Sequence, residues 1–263
     1  MIIIGEKING AIKTVSQAIV QQNTELIQDL AVKQVAAGAD FIDVCASSFG
    51  DDEADILKWL IDIIQEVVDA PLSIDSPNPE VIKTVITSCK KPGLINSVSA
   101  EGAKMEILYP VAKECGWDVI ALTVDNTGIP KDVQTRLRIA EKLIGKAGDY
   151  GIKEEQIYID PLVVALSTDN QSMLNFLNTM RLLKQEFPRV KITSGLSNIS
   201  FGMPLRRVVN RYFLCLALYE GLDSAIMDPL DKDLRGALLA TQALLAKDRH
   251  CRTFSTAYRK GYI

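Results

Sequence analysis

Four short apolar runs of this 263-residue chain each end on a small hydrogen-bonding side chain. They are Leu72-Ser73-Ile74-Asp75, Leu94-Ile95-Asn96, Ile157-Tyr158-Ile159-Asp160, and Ile192-Thr193-Ser194-Gly195, which leads into Ser197-Asn198. If such runs become parallel strands of one closed sheet, their terminal side chains meet at a single rim. The wider set of candidate rim residues is Glu6, Asn9, Asp43, Asp75, Asn96, Asp125, Asn126, Asp160, Asn198 and Asp228. This set holds no histidine, no Ser/His pair and no lysine at a strand terminus, which argues against nucleophilic and Schiff-base chemistry.

Carboxylates and amides without cations suit a planar heterocycle that offers several N–H donors beside carbonyl or ring-nitrogen acceptors. An aspartate takes two N–H bonds from a fused amino-pyrimidinone edge, and an asparagine matches a donor and an acceptor together; a pterin carries such an edge. Charge-assisted bonds of this kind are worth about 1.5 to 3 kcal/mol each, so two or three fix a ring's orientation. The competing reading is that acids after strands cap the helices that follow, as Asp51, Asp52 and Glu53 are placed to do.

The elements that must position these groups are legible as eight strand-length runs: Ile2 to Ile4, Phe41 to Cys45, Leu72 to Ile74, Leu94 to Val98, Val119 to Val124, Ile157 to Ile159, Val190 to Thr193 and Ser224 to Met227. Between them, apolar residues recur at three and four, as in Ile56, Leu57, Leu60, Ile61, Ile64, Val67 and Val68, which makes one stripe on a helix. Thr24, Ser172 and Asp231 stand where helix-capping acceptors are needed. Gly38, Gly116, Gly151 and Gly221 stand where helices stop. Strand followed by helix, eight times in about 250 residues, predicts an α/β fold, a single (β/α)8 TIM barrel, as one domain over residues 1–263. An open doubly wound sheet is the alternative.

Composition narrows the function classes. The chain is 48% hydrophobic with a net charge of −4, from 29 basic and 33 acidic residues. No basic stripe interleaved with aromatics points to nucleic acid, and no apolar stretch nears the roughly 18 residues that cross a bilayer. The three leading isoleucines are too short for a signal-peptide core, so a soluble cytoplasmic protein is expected. Cys45, Cys89, Cys115, Cys215 and Cys251 are odd in number and scattered, and His250 is the one histidine. Neither a disulfide scaffold nor a metal site is expected, and Cys45 reads as a packed small residue.

Several stretches resemble the pterin-binding methyltransferases that move a methyl group between tetrahydrofolate and a corrinoid protein, relatives of the folate module of cobalamin-dependent methionine synthase. They are Ile4-Gly5-Glu6-Lys7-Ile8-Asn9-Gly10, Ala37-Gly38-Ala39-Asp40-Phe41-Ile42-Asp43-Val44, Ser73-Ile74-Asp75-Ser76, Ile95-Asn96-Ser97, Thr127-Gly128-Ile129-Pro130-Lys131-Asp132, Tyr158-Ile159-Asp160-Pro161-Leu162, Gly195-Leu196-Ser197-Asn198-Ile199-Ser200 and Asn210-Arg211. The resemblance implies that Asp75, Asn96 and Asp160 hold the pterin edge. It also implies that Asn198 approaches N5 of the folate, that Gly195 and Ser197 shape the loop around it, and that Arg206 lies near the bound folate. Asn198 then polarises N5, and a proton moves through water or the Asp160 network. Tetrahydrofolate or 5-methyltetrahydrofolate is the implied substrate. A corrinoid (cobalamin) is supplied by a partner protein, because Asp248-Arg249-His250 is followed by Cys251-Arg252-Thr253 and lacks the glycine of a corrinoid-binding loop. A homodimer is the family's habit. Phe201 and Cys45-Ala46-Ser47-Ser48 depart from the acetogen-type pattern and incline the reading to the demethylation branch, in which tetrahydrofolate accepts the methyl.

Two rivals share parts of this reading. A dihydropteroate synthase would need a diphosphate site, with a Gly/Ser/Thr/Arg-rich loop after the second strand and an Arg-x-His pair at the eighth. The chain has Cys45-Ala46-Ser47-Ser48-Phe49-Gly50 and Met227-Asp228-Pro229 there. A non-catalytic folate-binding or corrinoid-docking module would bind folate without turnover.

Overall fold

Eight parallel strands make one sheet in the computed structural model, which describes residues 1–263: Ile2–Asn9 (β1), Phe41–Cys45 (β2), Leu72–Asp75 (β3), Leu94–Ala100 (β4), Asp118–Asp125 (β5), Ile157–Asp160 (β6), Lys191–Ile192 (β7) and Ser224–Met227 (β8). The order is β7-β6-β5-β4-β3-β2-β1-β8. The ring closes between β7 and β8 through a parallel bridge of Gly195 with Ile226 and two backbone bonds, Asp223 N to Ile192 O at 3.1 Å and Ile226 N to Ser194 O at 2.9 Å. The open doubly wound alternative is thereby excluded.

Helices cover the outside: Lys13–Val20 (α1), Thr24–Ala36 (α2), Glu53–Val67 (α3), Pro79–Val85 (α4), Lys104–Cys115 (α5), Val133–Asp149 (α6), Ser172–Glu186 (α7), Arg206–Tyr219 (α8), Lys232–Leu244 (α9) and Arg252–Arg259 (α10). The stripe read on α3 turns inward, with Leu57, Leu60, Ile61 and Ile64 fully buried. Gly116, at φ 70°, ends α5 in the left-handed conformation that glycine adopts without steric cost.

Local caps differ from expectation in three places. Asn23, one residue before Thr24, caps α2 by accepting from Leu26 N at 3.1 Å. The Ser172 hydroxyl accepts instead from Val164 N at 2.8 Å and pins the long β6–α7 connection. Before α3, neither Asp51 nor Asp52 makes a cap, because Ser47–Asp52 winds into a 3-10 turn, and Glu53 is folded inward and buried. Asp231 caps α9 as read, accepting from Leu234 N at 3.1 Å.

The strand period of two decides what reaches the rim. Inside the ring, Ile4, Leu94, Ile120 and Tyr158 form a separate apolar plug, with Phe41, Leu122 and Ile226 packed against it. Two residues further along their strands stand Glu6, Asp43, Asn96 and Asp160, on the same inner face, with Asp228 just past the end of β8. The alternate residues, among them Ile42, Val44, Ile74, Ile95, Val119, Ile157 and Ile159, point outward into the larger core under the helices. Burying each plug side chain contributes roughly 1.5 to 3 kcal/mol, and the plug gives the polar groups above it a rigid floor.

Candidate active site

A cup of about 270 Å³ opens at the carboxyl ends of the strands, lined by Glu6, Asn9, Asp43, Asp75, Asn96, Ser97, Leu122, Asp160, Leu162, Gly195, Ser197, Asn198 and Ile226. Residues from all eight units thus converge, including Asp75, Asn96, Asp160, Gly195, Ser197 and Asn198 from the sequence reading. A larger cavity, about 600 Å³, lies at the opposite end of the barrel, between Met1, Ile3, Arg235 and α10. Size does not make it the better candidate. Barrel chemistry is carried by groups at the carboxyl ends of strands, and there the polar side chains meet.

Asn96 is oriented from below. Its Nδ2 donates to Asp43 Oδ1 at 3.1 Å, and the same oxygen accepts from the Ser73 hydroxyl at 2.6 Å. With one amide hydrogen engaged there, the Asn96 carbonyl oxygen is left to accept from a ligand N–H. Burial holds the Asp43 carboxyl well above the usual carboxylate range, and the neighbouring Asp75 adds to that shift. Asp75 is raised to about 6 by burial, against a hydrogen bond with Cys45. The Cys45 thiol is pushed up to about 12 by its own burial, so it stays protonated and packs rather than reacts.

Asp160 ties two loops together. Its Oδ1 accepts from Leu162 N at 2.8 Å and its Oδ2 from Gly195 N at 3.4 Å. Burial raises it to about 6, and those backbone donors and Arg136 oppose the rise. Gly195 opens the turn that carries Ser197 and Asn198. A β-carbon there would lie 2.9 Å from Asn198 Nδ2, so glycine leaves that amide its place. Arg136, only 1% exposed, holds the loops of β5 and β6 by donating to Pro130 O at 3.0 Å and Leu162 O at 2.7 Å.

A second hollow of about 260 Å³ adjoins the cup and shares Glu6 and Ser197 with it; Arg206, Arg207, Asn210, Asp228 and Asp231 form its polar walls, with Leu196 and Leu234 beside them. Arg206 therefore stands beside the cup rather than in its lining. Its Nε donates to Ser200 Oγ at 3.1 Å, its Nη2 to Ser197 O at 3.0 Å, and its guanidinium lies 4.6 Å from the Phe201 ring centroid. Asp125 and Asn126 do not join the rim. Asp125 accepts from Thr127, and Asn126 accepts from Gly102 N, both at the surface; the fifth strand contributes Leu122 instead.

The sequence reading missed Lys7. β1 runs to Asn9 rather than stopping at Ile4, and its register with β2 shifts between Gly5 and Ile8. Such a bulge re-aims side chains. Lys7 Nζ meets Asp228 Oδ2 at 3.0 Å, while Glu6 faces the cup and accepts from the Ser197 hydroxyl at 3.0 Å. The isolated Ile8, fully buried beyond Glu6 and Lys7, was the available signal.

Residues 6–228 match the family model described as pterin binding enzyme. A methylcorrinoid:tetrahydrofolate methyltransferase of Eubacterium limosum is 48% identical over 265 aligned positions, covering 100% of this chain and 98% of that protein. The methionine synthase of Mycobacterium tuberculosis is 30% identical over 86% of this chain, a match that spans 20% of that longer protein. Among solved structures, a dihydropteroate synthase from Xanthomonas albilineans in complex with 7,8-dihydropteroate superposes with a TM-score of 0.70 over 93% of each chain; at 20% identity the likeness is one of fold.

Proposed function

We propose a methyl-transfer function from one premise: the chain belongs to the pterin-binding enzyme family. It is a methyltransferase that moves a methyl group between the cobalt of a corrinoid protein and N5 of tetrahydrofolate. The flow is toward tetrahydrofolate, the direction carried in the name of the Eubacterium limosum relative. The observation that carries this reading is the convergence of Asp75, Asn96, Asp160 and Asn198 in one cup over an apolar floor.

The geometry of the cup supports these roles. Asp75 and Asp160 accept from the N–H edge of the pterin, and Asn96, held by Asp43, accepts beside them. Leu122, Leu162 and Ile226 give the ring apolar contact. Asn198 hydrogen-bonds N5 and stabilises charge developing there, while Asp160 holds the turn that places it. Gly195 and Ser197 shape that turn, and Arg206 braces it from the adjoining hollow by donating to the Ser197 carbonyl.

The corrinoid arrives as a substrate on a partner protein. The residues present do not fit a resident one, since His250 is exposed on a turn next to α10, at the end of the barrel away from the cup. A homodimer is supported by α8, where Val208, Tyr212, Leu216 and Tyr219 form an exposed apolar stripe at helical spacing. One domain over residues 1–263 is supported by the single ring that all eight units build. No helix is long and apolar enough to cross a membrane, and five free cysteines support a reducing, cytoplasmic setting.

The dihydropteroate synthase reading fares worse at the loop after β2. There Ser47–Asp52 presents two aspartates and no cation to a diphosphate. Mixing the protein with methylcobalamin and tetrahydrofolate tests the proposal. Appearance of the cob(I)alamin spectrum with stoichiometric 5-methyltetrahydrofolate supports it; tight folate binding without transfer to or from free or protein-bound cobalt would make the chain a binding module.

A further inference from the structure

Methyl transfer to tetrahydrofolate leaves a proton to be placed. The methyl–cobalt bond breaks with its electron pair remaining on cobalt, a carbon–nitrogen bond forms at N5, and N5 sheds the hydrogen it carried. Asn198 can orient N5, but an amide has no capacity to keep that proton. Asp160 is committed to the N–H edge of the pterin and to the backbone N–H groups of Leu162 and Gly195. Of the carboxyls lining the cup, one other is hydrogen-bonded to the turn that carries Asn198: Glu6, whose Oε1 accepts from the Ser197 hydroxyl at 3.0 Å.

We propose that Glu6 accepts the N5 proton through the Ser197 hydroxyl and releases it to solvent through the adjoining hollow, an inference that rests on the methyl-transfer reading. Ser197 lines the cup and takes the proton on its oxygen as its own hydrogen passes to Glu6. Glu6 lines both the cup and the 260 Å³ hollow, whose outer wall is made by the exposed Arg206 and Arg207. The carboxyl thus touches both the reaction space and the adjoining hollow.

The surroundings of Glu6 suit this task. Burial raises its pKa to about 7; the Ser197 hydroxyl opposes that, Asp228 at the end of β8 adds to it, and Lys7 on its own strand and Arg206 on α8 moderate it. Asp43 faces it from β2. Lys7 is paired with Asp228 rather than with Glu6, so no ion pair locks Glu6 in its charged state. A group balanced near neutrality can both take and release a proton at working pH, and such transfers contribute about 100-fold or more to rate.

The test follows methyl transfer from methylcobalamin to tetrahydrofolate by the corrin spectrum, using full-length protein between about pH 5.5 and 8.5. For the wild type, kcat should rise with pH through about 7. Glu6→Gln should lower kcat by about 100-fold and abolish that inflection, with the KM for tetrahydrofolate changed by less than about threefold. Ser197→Ala breaks the relay and should likewise lower kcat and remove the inflection, with the KM for tetrahydrofolate changed by less than about threefold; this variant decides the matter if Glu6→Gln does not fold, and wild-type kcat and inflection in it overturn the proposal. Glu6→Gln with wild-type kcat and inflection overturns the proposal. So does an inflection that survives in Glu6→Gln and disappears in Asp160→Asn. Wild-type protein that binds tetrahydrofolate without any transfer removes the methyl-transfer reading and this inference together, whereas wild-type transfer with an unaltered Glu6→Gln removes the inference alone.

Discussion

Replacing Asp43 separates two ways a buried carboxyl can hold a binding site. Its Oδ1 accepts from the Ser73 hydroxyl at 2.6 Å and from Asn96 Nδ2 at 3.1 Å, and burial disfavours its charged form. If the neutral acid is the working species, Asp43→Asn keeps the acceptor, replaces the acid O–H by an N–H, and is tolerated. Asp43→Ala instead strands two buried donors at about 1 to 3 kcal/mol each, about 2 to 6 kcal/mol in all. For a domain of this size each kcal/mol moves Tm by about 2 to 4 °C, so the alanine variant should melt on the order of 10 °C lower. It also frees the Asn96 amide to rotate and offer a donor where the pterin needs an acceptor, which should weaken folate binding by at least about tenfold. Calorimetry and titration with tetrahydrofolate read both effects, and Asp43→Asn should stay within about 1 kcal/mol of wild type in each. An asparagine variant as damaged as the alanine variant would show that the charged carboxylate is required and refute the reasoning.

Asn198→Ala should slow transfer far more than it weakens folate binding; equal losses in affinity and turnover rate, with bound substrate reacting at full speed, would count against its role at N5. Gly195→Ala probes the same group from a distance. Gly195 has φ −71° and tolerates a side chain, so the variant should keep its stability within about 1 kcal/mol while the displaced Asn198 amide lowers kcat; an unchanged kcat would contradict that placement. Arg136→Met leaves the Pro130 and Leu162 carbonyls unpaired, so both Tm and folate affinity should fall, as melting and titration would show. Glu6, at about 7, and Asp75 and Asp160, at about 6, are all raised above their unfolded values. Their contribution to stability is full below their unfolded pKa values and is lost as pH rises through 6 to 7, so the ligand-free protein should be harder to unfold in urea at about pH 5 than at about pH 8. A midpoint that climbs over that range would contradict the assignment.

Local rules carried much of the barrel. The eight apolar runs and the intervening stripes are short-range patterns, and every expected strand has its counterpart with ends shifted by a few residues. The cup's polar set was legible for the same reason: a residue that closes an apolar run and shares its inner face must surface at the rim, as Asn96 does two positions after Leu94 and Asp160 two after Tyr158. Other features depend on partners remote in sequence. The bulge that extends β1 and brings Lys7 to Asp228 is a register relation with another strand, invisible in a polar Gly5-Glu6-Lys7 run. Asp125 closes an apolar run but stands three positions after Leu122, off the inner face of β5, and accepts from Thr127 at the surface instead. Asp43 became the anchor of Asn96, and Arg136 the tie between two loops, only when elements distant along the chain were brought within hydrogen-bonding reach. Periodicity determines which face a side chain takes; hydrogen bonding and burial in the closed ring decide what that side chain is for.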